Sequence, residues 1–422
     1  MLKHPNGLLL VLSVCFKRSE SGELMLEKQT CNGIDLWAKN FDFVVVACPI
    51  LSSADGEKTL TTVDYVCASQ LKSSDRVELV PLPYAYHAVD FFLRLEPTRE
   101  ILATKIRECR YLCFAIGGLI GDWPTVAALE AIRQMRPYSV WTDRVEHVVV
   151  KTSYTDRSGG RRLYRFLRDG VLSSPVMKQV QKYIISKSSL GLFHGGECLA
   201  AYGKFCKAPH LVHDIHLSVA DLVSDGQFAA KVERSRTGAP LRIVYVGRAL
   251  GMKGPFDWID VLDKLKAAGV NVEATWLGDG DMLTKARAAV ERLNLSQNVF
   301  FKGHCSDRAV VLESIRSADI FLFCHKTPES PRCLVEALMS GTPIVGYEGL
   351  YQADLLGNLS SQLLTPTDDR VALAAKITEL HKNRELLCSV AAQCKVLGQS
   401  FSDEAVFKHR SDLIKEHFRD RE

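Results

Sequence analysis

What this 422-residue sequence lacks excludes several classes before any motif is read. Its first apolar stretch, GLLLVLSVCF at residues 7–16, is about half the length a helix needs to cross a bilayer, so it reads as a buried strand. The 13 cysteines include no Cys-x-x-Cys pair and no regular spacing, which argues against a zinc ribbon or a redox dithiol. With no leader-like start, they read as reduced thiols of a cytoplasmic protein. The excess positive charge is only +4, too little to argue for nucleic acid, and no zinc-finger or RNA-binding signature stands in the chain. No long-period repeat appears, which excludes solenoids and propellers. What remains is ordinary globular composition, 47% hydrophobic and 24% charged, on a chain too long for one core.

Short apolar runs alternate with helical patterns along the whole chain. In the first half, residues 8–16, 43–49, 77–83, 111–118, 138–143 and 190–195 read as strands, with helices over 26–41, 98–109 and 123–135. The second half opens on LRIVYVGRA at 241–249 and repeats the alternation. That order predicts an α/β fold: two Rossmann-like, doubly wound domains with parallel sheets, facing each other across a cleft. The expected boundaries are residues 1–220 for an N-terminal Rossmann-like domain, 221–240 for a linker, 241–400 for a C-terminal Rossmann-like domain and 401–422 for a C-terminal helix.

Chemistry gathers in the second half. VGRALGMKG at 246–254 ends a strand at Gly247 and supplies Arg248 and Lys253 within a glycine-rich turn. Arg offers a planar fork for phosphate oxygens, and Lys offers a mobile point charge. The stretch matches GxGxxG poorly and no acid follows at the dinucleotide spacing, so a nicotinamide site is rejected. WLGDGD at 276–281 and FKGHC at 301–305 bring Gly278, Gly303 and His304 to the same predicted sheet edge. HKTPESPRCLVEALMSGTPIVGYEG at 325–349 reads as a loop, a helix and a strand. Ser330 is the expected N-cap, Pro331 the first helical residue, and Leu334 part of an apolar stripe. Glu329 precedes that helix, and Arg332 and Glu336 lie on it.

This ordered set resembles the donor-binding domain of glycosyltransferase family 4, retaining enzymes of GT-B fold described as glycosyl transferases group 1. The resemblance covers about residues 241–350. It implies that Arg248 and Lys253 hold the diphosphate of a nucleotide-sugar of UDP or GDP type, that Glu329 contacts the donor sugar, and that Glu336 binds the ribose hydroxyls. Gly247, Gly278, Gly303, His304, Ser330, Arg332 and Leu334 complete the donor-binding expectation. Six residues separate the two glutamates where the family has seven, and Ser-Pro-Arg replaces a common glycine. No Asp-x-Asp pair is expected at a strand end, so metal-independent transfer with retention and no cofactor is expected, the cations standing in for a divalent ion.

The acceptor half is fainter. Asn32 and Gly33 suggest a glycine turn on the acceptor side. Asp143 or His194 would stand in, with Glu329, as catalytic groups where the family often has a histidine. PHLVHDIH at 209–216 lacks a fourth ligand for zinc, so no metal is expected. Arg161 and Arg162, in a basic segment interleaved with Leu, Tyr and Phe, suggest an anionic membrane surface or a lipid-linked acceptor. The resulting expectation is sugar transfer to a glycan or glycolipid in surface-polysaccharide assembly, without nucleic acid. A non-catalytic nucleotide-sugar-binding scaffold and a sugar-nucleotide epimerase on the same fold are the rivals.

Overall fold

The computed structural model describes residues 2–51, 64–148, 173–213, 215, 217–327 and 330–418. The chain divides into two compact units, Met1–His216 with Val406–Glu422, and Leu217–Ala405.

Among the described residues ten strands belong to the first unit: β1 (His4–Val11), β2 (Lys17–Arg18), β3 (Leu24–Glu27), β4 (Phe43–Ile50), β5 (Tyr65–Cys67), β6 (Val77–Pro83), β7 (Cys109–Ala115), β8 (Ser139–Thr142), β9 (Leu190–His194) and β10 (Pro209–Val212). Seven form one sheet in the order β10-β9-β8-β7-β1-β4-β6, while β2, β3 and β5 make a small antiparallel sheet. Every pairing in the large sheet is parallel, with Leu8 beside Val44 and Leu10 beside Val46. Successive side chains of a strand point to opposite faces. Leu9 and Val11 therefore join Val45, Leu112 and Phe114 in one buried cluster, and Leu8 and Leu10 join Val44, Tyr111 and Cys113 in the other. Both faces are covered, which is why these strands read as unbroken apolar runs.

The helix Asp403–His417 completes the second of those clusters through Phe407, Leu413 and Ile414, followed by Phe418. Its Arg410 is fully buried, with the guanidinium 3.8 Å from the Trp141 ring centroid and 4.9 Å from that of Trp37. A planar cation stacked on indole is a stabilising arrangement when desolvated.

The second unit repeats the design with β11 (Leu241–Val246), β12 (Val272–Leu277), β13 (Val299–Gly303), β14 (Ile320–Phe323), β15 (Ile344–Tyr347) and β16 (Leu364–Thr365). Their order is β13-β12-β11-β14-β15-β16, all parallel. The expected α/β class with two doubly wound parallel sheets is what the chain forms. Among the described residues no helix is long and apolar enough to cross a membrane.

Three expectations need correction. The first strand ends at Val11, not at residue 16, because Ser13 turns away to donate to the buried Asp122 carboxylate (3.1 Å). The helix expected over 98–109 begins at Ala88 and runs through Pro97, held by the buried side chains of Phe91, Thr98, Leu102 and Ile106. The stretch 221–240, expected as a linker, contains the helix Asp225–Arg236. Ser224 and Gln227 form a reciprocal capping box at its start, a signal present in the sequence.

Candidate functional site

In the second unit three strand ends are stitched together by backbone. Gly247 N–H donates to Leu277 O (2.9 Å), and Gly278 N–H donates to Gly303 O (2.8 Å). The buried Trp276 indole donates to Gly247 O (2.9 Å), tying the loop that carries Arg248 to the core. Gly278 has φ +145°, and a Cβ there would lie 2.0 Å from Gly247 O. Only glycine lets the two loops approach so closely. Gly278→Ala is accordingly expected to cost about 2 kcal/mol or more, read as a lower denaturant midpoint. Gly254, at φ +67°, plays the matching part behind Lys253, because a Cβ there would meet Cys324 O at 2.1 Å.

These ends wall a pocket of about 690 Å³ lined by Gly247, Arg248, Gly278, His304, Arg332 and Glu336, among others. Arg248 and His304 are exposed there. Glu336, by contrast, is only 5% exposed. It sits on the helix Arg332–Met339, whose other buried residues include Leu334, Val335 and Leu338. Its Oε1 lies 3.2 Å from Arg308 Nη1 and 3.3 Å from Arg332 Nε. Arg308 also reaches Asp221 (2.9 Å). A carboxylate this deep needs such partners, since an isolated buried charge would be very costly. Arg332, expected to meet phosphate, is thus engaged by Glu336.

The glutamate helix starts later than expected. Its N-cap position is Pro331, with φ −75° and ψ 127°, and among the described residues no side chain caps it. Ser330 precedes a proline, which disfavours helical backbone there and displaces the start. Pro331 O accepts from Leu334 N–H (3.2 Å) to close the first turn. Lys253 ends the short 3-10 turn Gly251–Lys253 and is half-buried. Its charge is felt by the Cys333 thiol at the mouth of the glutamate helix, although burial, the larger effect, and then Glu336 push that thiol up to about 12.

The remaining expected residues are dispersed. Ser330 and Lys253 are not among the pocket's lining residues, and Gly303 sits behind Gly278. Leu334 is fully buried in the core. Glu329, Arg161 and Arg162 lie outside the described residues. Asn32 and Gly33 do not form a turn; they fall inside the helix Lys28–Ala38. The buried face of Cys31, Ile34 and Trp37 overrides the roughly 1 kcal/mol cost of a mid-helix glycine. Asp143 and Gly33 line a separate cavity in the first unit. His194 closes β9 and opens the helix Gly195–Tyr202, its ring 6.2 Å from that of His213, and it does not line that cavity.

Two features were missed in the sequence. Arg308 follows Asp307, which caps the helix Arg308–Arg316 by accepting from Ala309 N–H (2.8 Å); that cap was the available signal. Asp279-Gly280-Asp281 is an Asp-x-Asp pair at the end of β12, which the metal reading passed over. Asp279 O accepts from Ala249 N–H (2.8 Å), so its backbone helps close the loop. Among the described residues the one trio of ligand-type side chains close enough to share an ion is His4, Glu78 and Glu108. Lys105 bonds both of its carboxylates, at 2.7 and 2.8 Å.

Residues 209–395 match the protein family described as "Glycosyl transferases group 1". Over 185 residues the chain is 27% identical to the putative colanic acid biosynthesis glycosyltransferase WcaL of Salmonella typhimurium, covering 42% of this chain and 45% of that protein. It is 28% identical over 173 residues to the 2-deoxystreptamine N-acetyl-D-glucosaminyltransferase of Streptomyces fradiae, covering 39% and 40%. The matches thus span less than half the length of either relative. In structure it resembles Anabaena HepE in complex with UDP, with a TM-score of 0.62 at 15% identity, over 97% of this chain and 100% of that one. The same protein in complex with UDP-glucose gives 0.56 at 14% identity, over 97% and 99%. The structural likeness shows the fold: two Rossmann-like parallel sheets, as in GT-B glycosyltransferase structures.

Proposed function

We propose that this chain is a retaining, metal-independent glycosyltransferase that moves a sugar from a nucleotide-diphosphate sugar to a glycan or glycolipid in surface-polysaccharide assembly. The observation that carries the reading is Glu336, a nearly buried carboxylate held by Arg308 and Arg332 in a pocket that also holds the exposed Arg248. The glutamate suits paired ribose hydroxyls. Arg248, with Lys253 nearby, suits the diphosphate. In the transfer the bond between the anomeric carbon and the diphosphate oxygen breaks, and the diphosphate leaves with the electron pair. The acceptor oxygen bonds the same face of that carbon and gives its proton to the departing diphosphate oxygen. Fixed cations stabilise the charge growing on the leaving group more than they stabilise the bound donor, which is what lowers the barrier. The UDP and UDP-glucose bound to HepE, and the colanic acid biosynthesis in WcaL's name, agree with this reading.

A ligand bound only by the folded chain raises stability by about 2.7 kcal/mol at a hundred times its Kd. UDP or GDP, and one of their sugars, should therefore raise the melting temperature, and EDTA should not cancel the rise. No response to any nucleoside diphosphate would refute the donor site. A strict need for magnesium would refute metal independence and direct attention to Asp279 and Asp281. Proton NMR of the anomeric centre in the product tests retention.

A further inference from the structure

A second cavity, of about 470 Å³, lies wholly within the first unit, at the carboxyl ends of β1, β7 and β8. The strand order reverses between β1 and β7, and that crevice is where doubly wound sheets take their ligands. Its position therefore argues for a ligand independently of its chemistry.

The wall is apolar and aromatic, with Ile34, Trp37, Trp141 and Phe407. Arg410 stacks on Trp141 and Trp37, holding both indoles in place. Rigid aromatic rings cost little entropy when a flat ligand packs on them. The Trp141 indole N–H is buried and has no hydrogen-bond partner among the described residues.

Among the described residues the lining carries three carboxylates, Glu27, Asp143 and Glu146, against one cation, Arg144. That cation already pairs with Glu146, Nε to Oε1 at 2.6 Å. Glu27 occupies the N-cap position of the helix Lys28–Ala38, yet its side chain does not cap that helix. Asp122, accepting from Ser13 Oγ and Gly117 N–H, braces the loops after β1 and β7 that form the rim. The pocket of the second unit differs in balance, with Arg248, Arg308 and Arg332 against Asp279 and Glu336 in its wall.

We infer that this cavity binds the acceptor through an uncharged or amine-bearing sugar ring, and that Glu27, Asp143 and Glu146 reject phosphate- and carboxylate-bearing sugars. The inference rests on the proposed transfer, but it assigns the charge class of the acceptor and not the reaction. Ring faces pack on the indoles, while hydroxyls and ammonium groups meet the carboxylates. A lipid diphosphate, if the acceptor carries one, lies outside this cavity.

Tryptophan emission of the full-length protein reads the site directly, since Trp37 and Trp141 line it, whereas Trp123, Trp258 and Trp276 are fully buried. The probes are a glucosamine disaccharide, its N-acetylated form, cellobiose, a glucuronic acid disaccharide and glucose 6-phosphate. Saturable changes with one or more of the first three, and none with the two anions, are expected. Asp143→Asn with Glu146→Gln should weaken any amine preference about tenfold. Asp143→Lys should let the anions bind. Preferential binding of the anions, no response to any probe, or variants that leave the charge preference unmoved would each overturn the inference. The UDP-dependent melting shift is measured in parallel. If it persists while no sugar responds, only the inference fails; if it is absent while sugars respond, only the donor reading fails.

Discussion

Replacing Glu336 by alanine is expected to cut kcat/KM with a nucleotide-sugar by roughly 100-fold or more and to abolish the melting shift produced by UDP. The size follows from the number of contacts. A hydrogen bond to a charged group contributes about 1.5–3 kcal/mol, and a ribose presents two hydroxyls to one carboxylate. Two such bonds come to about 3 kcal/mol at least, and 1.4 kcal/mol is a tenfold change in affinity. The substitution also leaves Arg308 and Arg332 facing each other without the carboxylate that now lies 3.2 and 3.3 Å from them. Some loss of fold stability is therefore expected and has to be separated by circular dichroism. Glu336→Gln keeps the shape and one acceptor oxygen, so it should retain the fold and recover part of the binding. Arg308→Met combined with Glu336→Gln closes a double-mutant cycle that isolates the pair. An alanine variant that still shows the parental UDP shift would refute the ribose assignment.

The second large effect belongs to Lys231, buried in what the sequence presents as a linker. Its ammonium group donates to Ser340 O (3.0 Å), Gly341 O (3.2 Å) and Thr342 Oγ1 (2.7 Å), just past the end of the glutamate helix. It therefore caps that helix from outside, where a positive charge also meets the negative end of the dipole. Lys231→Met removes three donors at a buried site and should destabilise the second unit by about 3 kcal/mol, seen in denaturant unfolding. Burial lowers the lysine to about 7 from its ordinary 10.5. Between those two values the unfolded chain holds a proton that the folded chain has released. Stability should consequently rise with pH across that window, with this contribution level below and above it. In Lys231→Met that part of the slope should vanish. A parental pH slope in the variant would show that the lysine does not titrate there.

The donor side was legible in sequence wherever a residue type is its own signal. Glycines at strand ends, an arginine and lysine in the turn after β11, and a glutamate before a small-residue stop are all local patterns. What stayed hidden depends on partners far along the chain. Arg308 meets Glu336 from 28 positions away, and Lys231 meets Ser340 from 109. Nothing near residue 231 announces burial, because the helix around it is polar and only its fold neighbours supply the acceptors. Gly33 misled for the converse reason: glycine suggests a turn, but one buried helix face outweighed its preference. Proline 331 misled by a single position, since its own restriction on Ser330 moved the helix start. In the first unit the sheet was readable from its apolar runs, whereas the cavity was not. Its walls come from β1, β7, β8, the helix Lys28–Ala38 and a residue as distant as Phe407.

That last contributor has a consequence for how the chain is made. On the ribosome, residues 217–405 emerge as one continuous stretch and can fold as soon as they are clear. The first unit, although its strands are translated earlier, must wait with an open apolar face until Phe407, Arg410 and Ile414 arrive. The first unit is thus finished after the second, and its cavity is complete only once the segment carrying Phe407 has been translated.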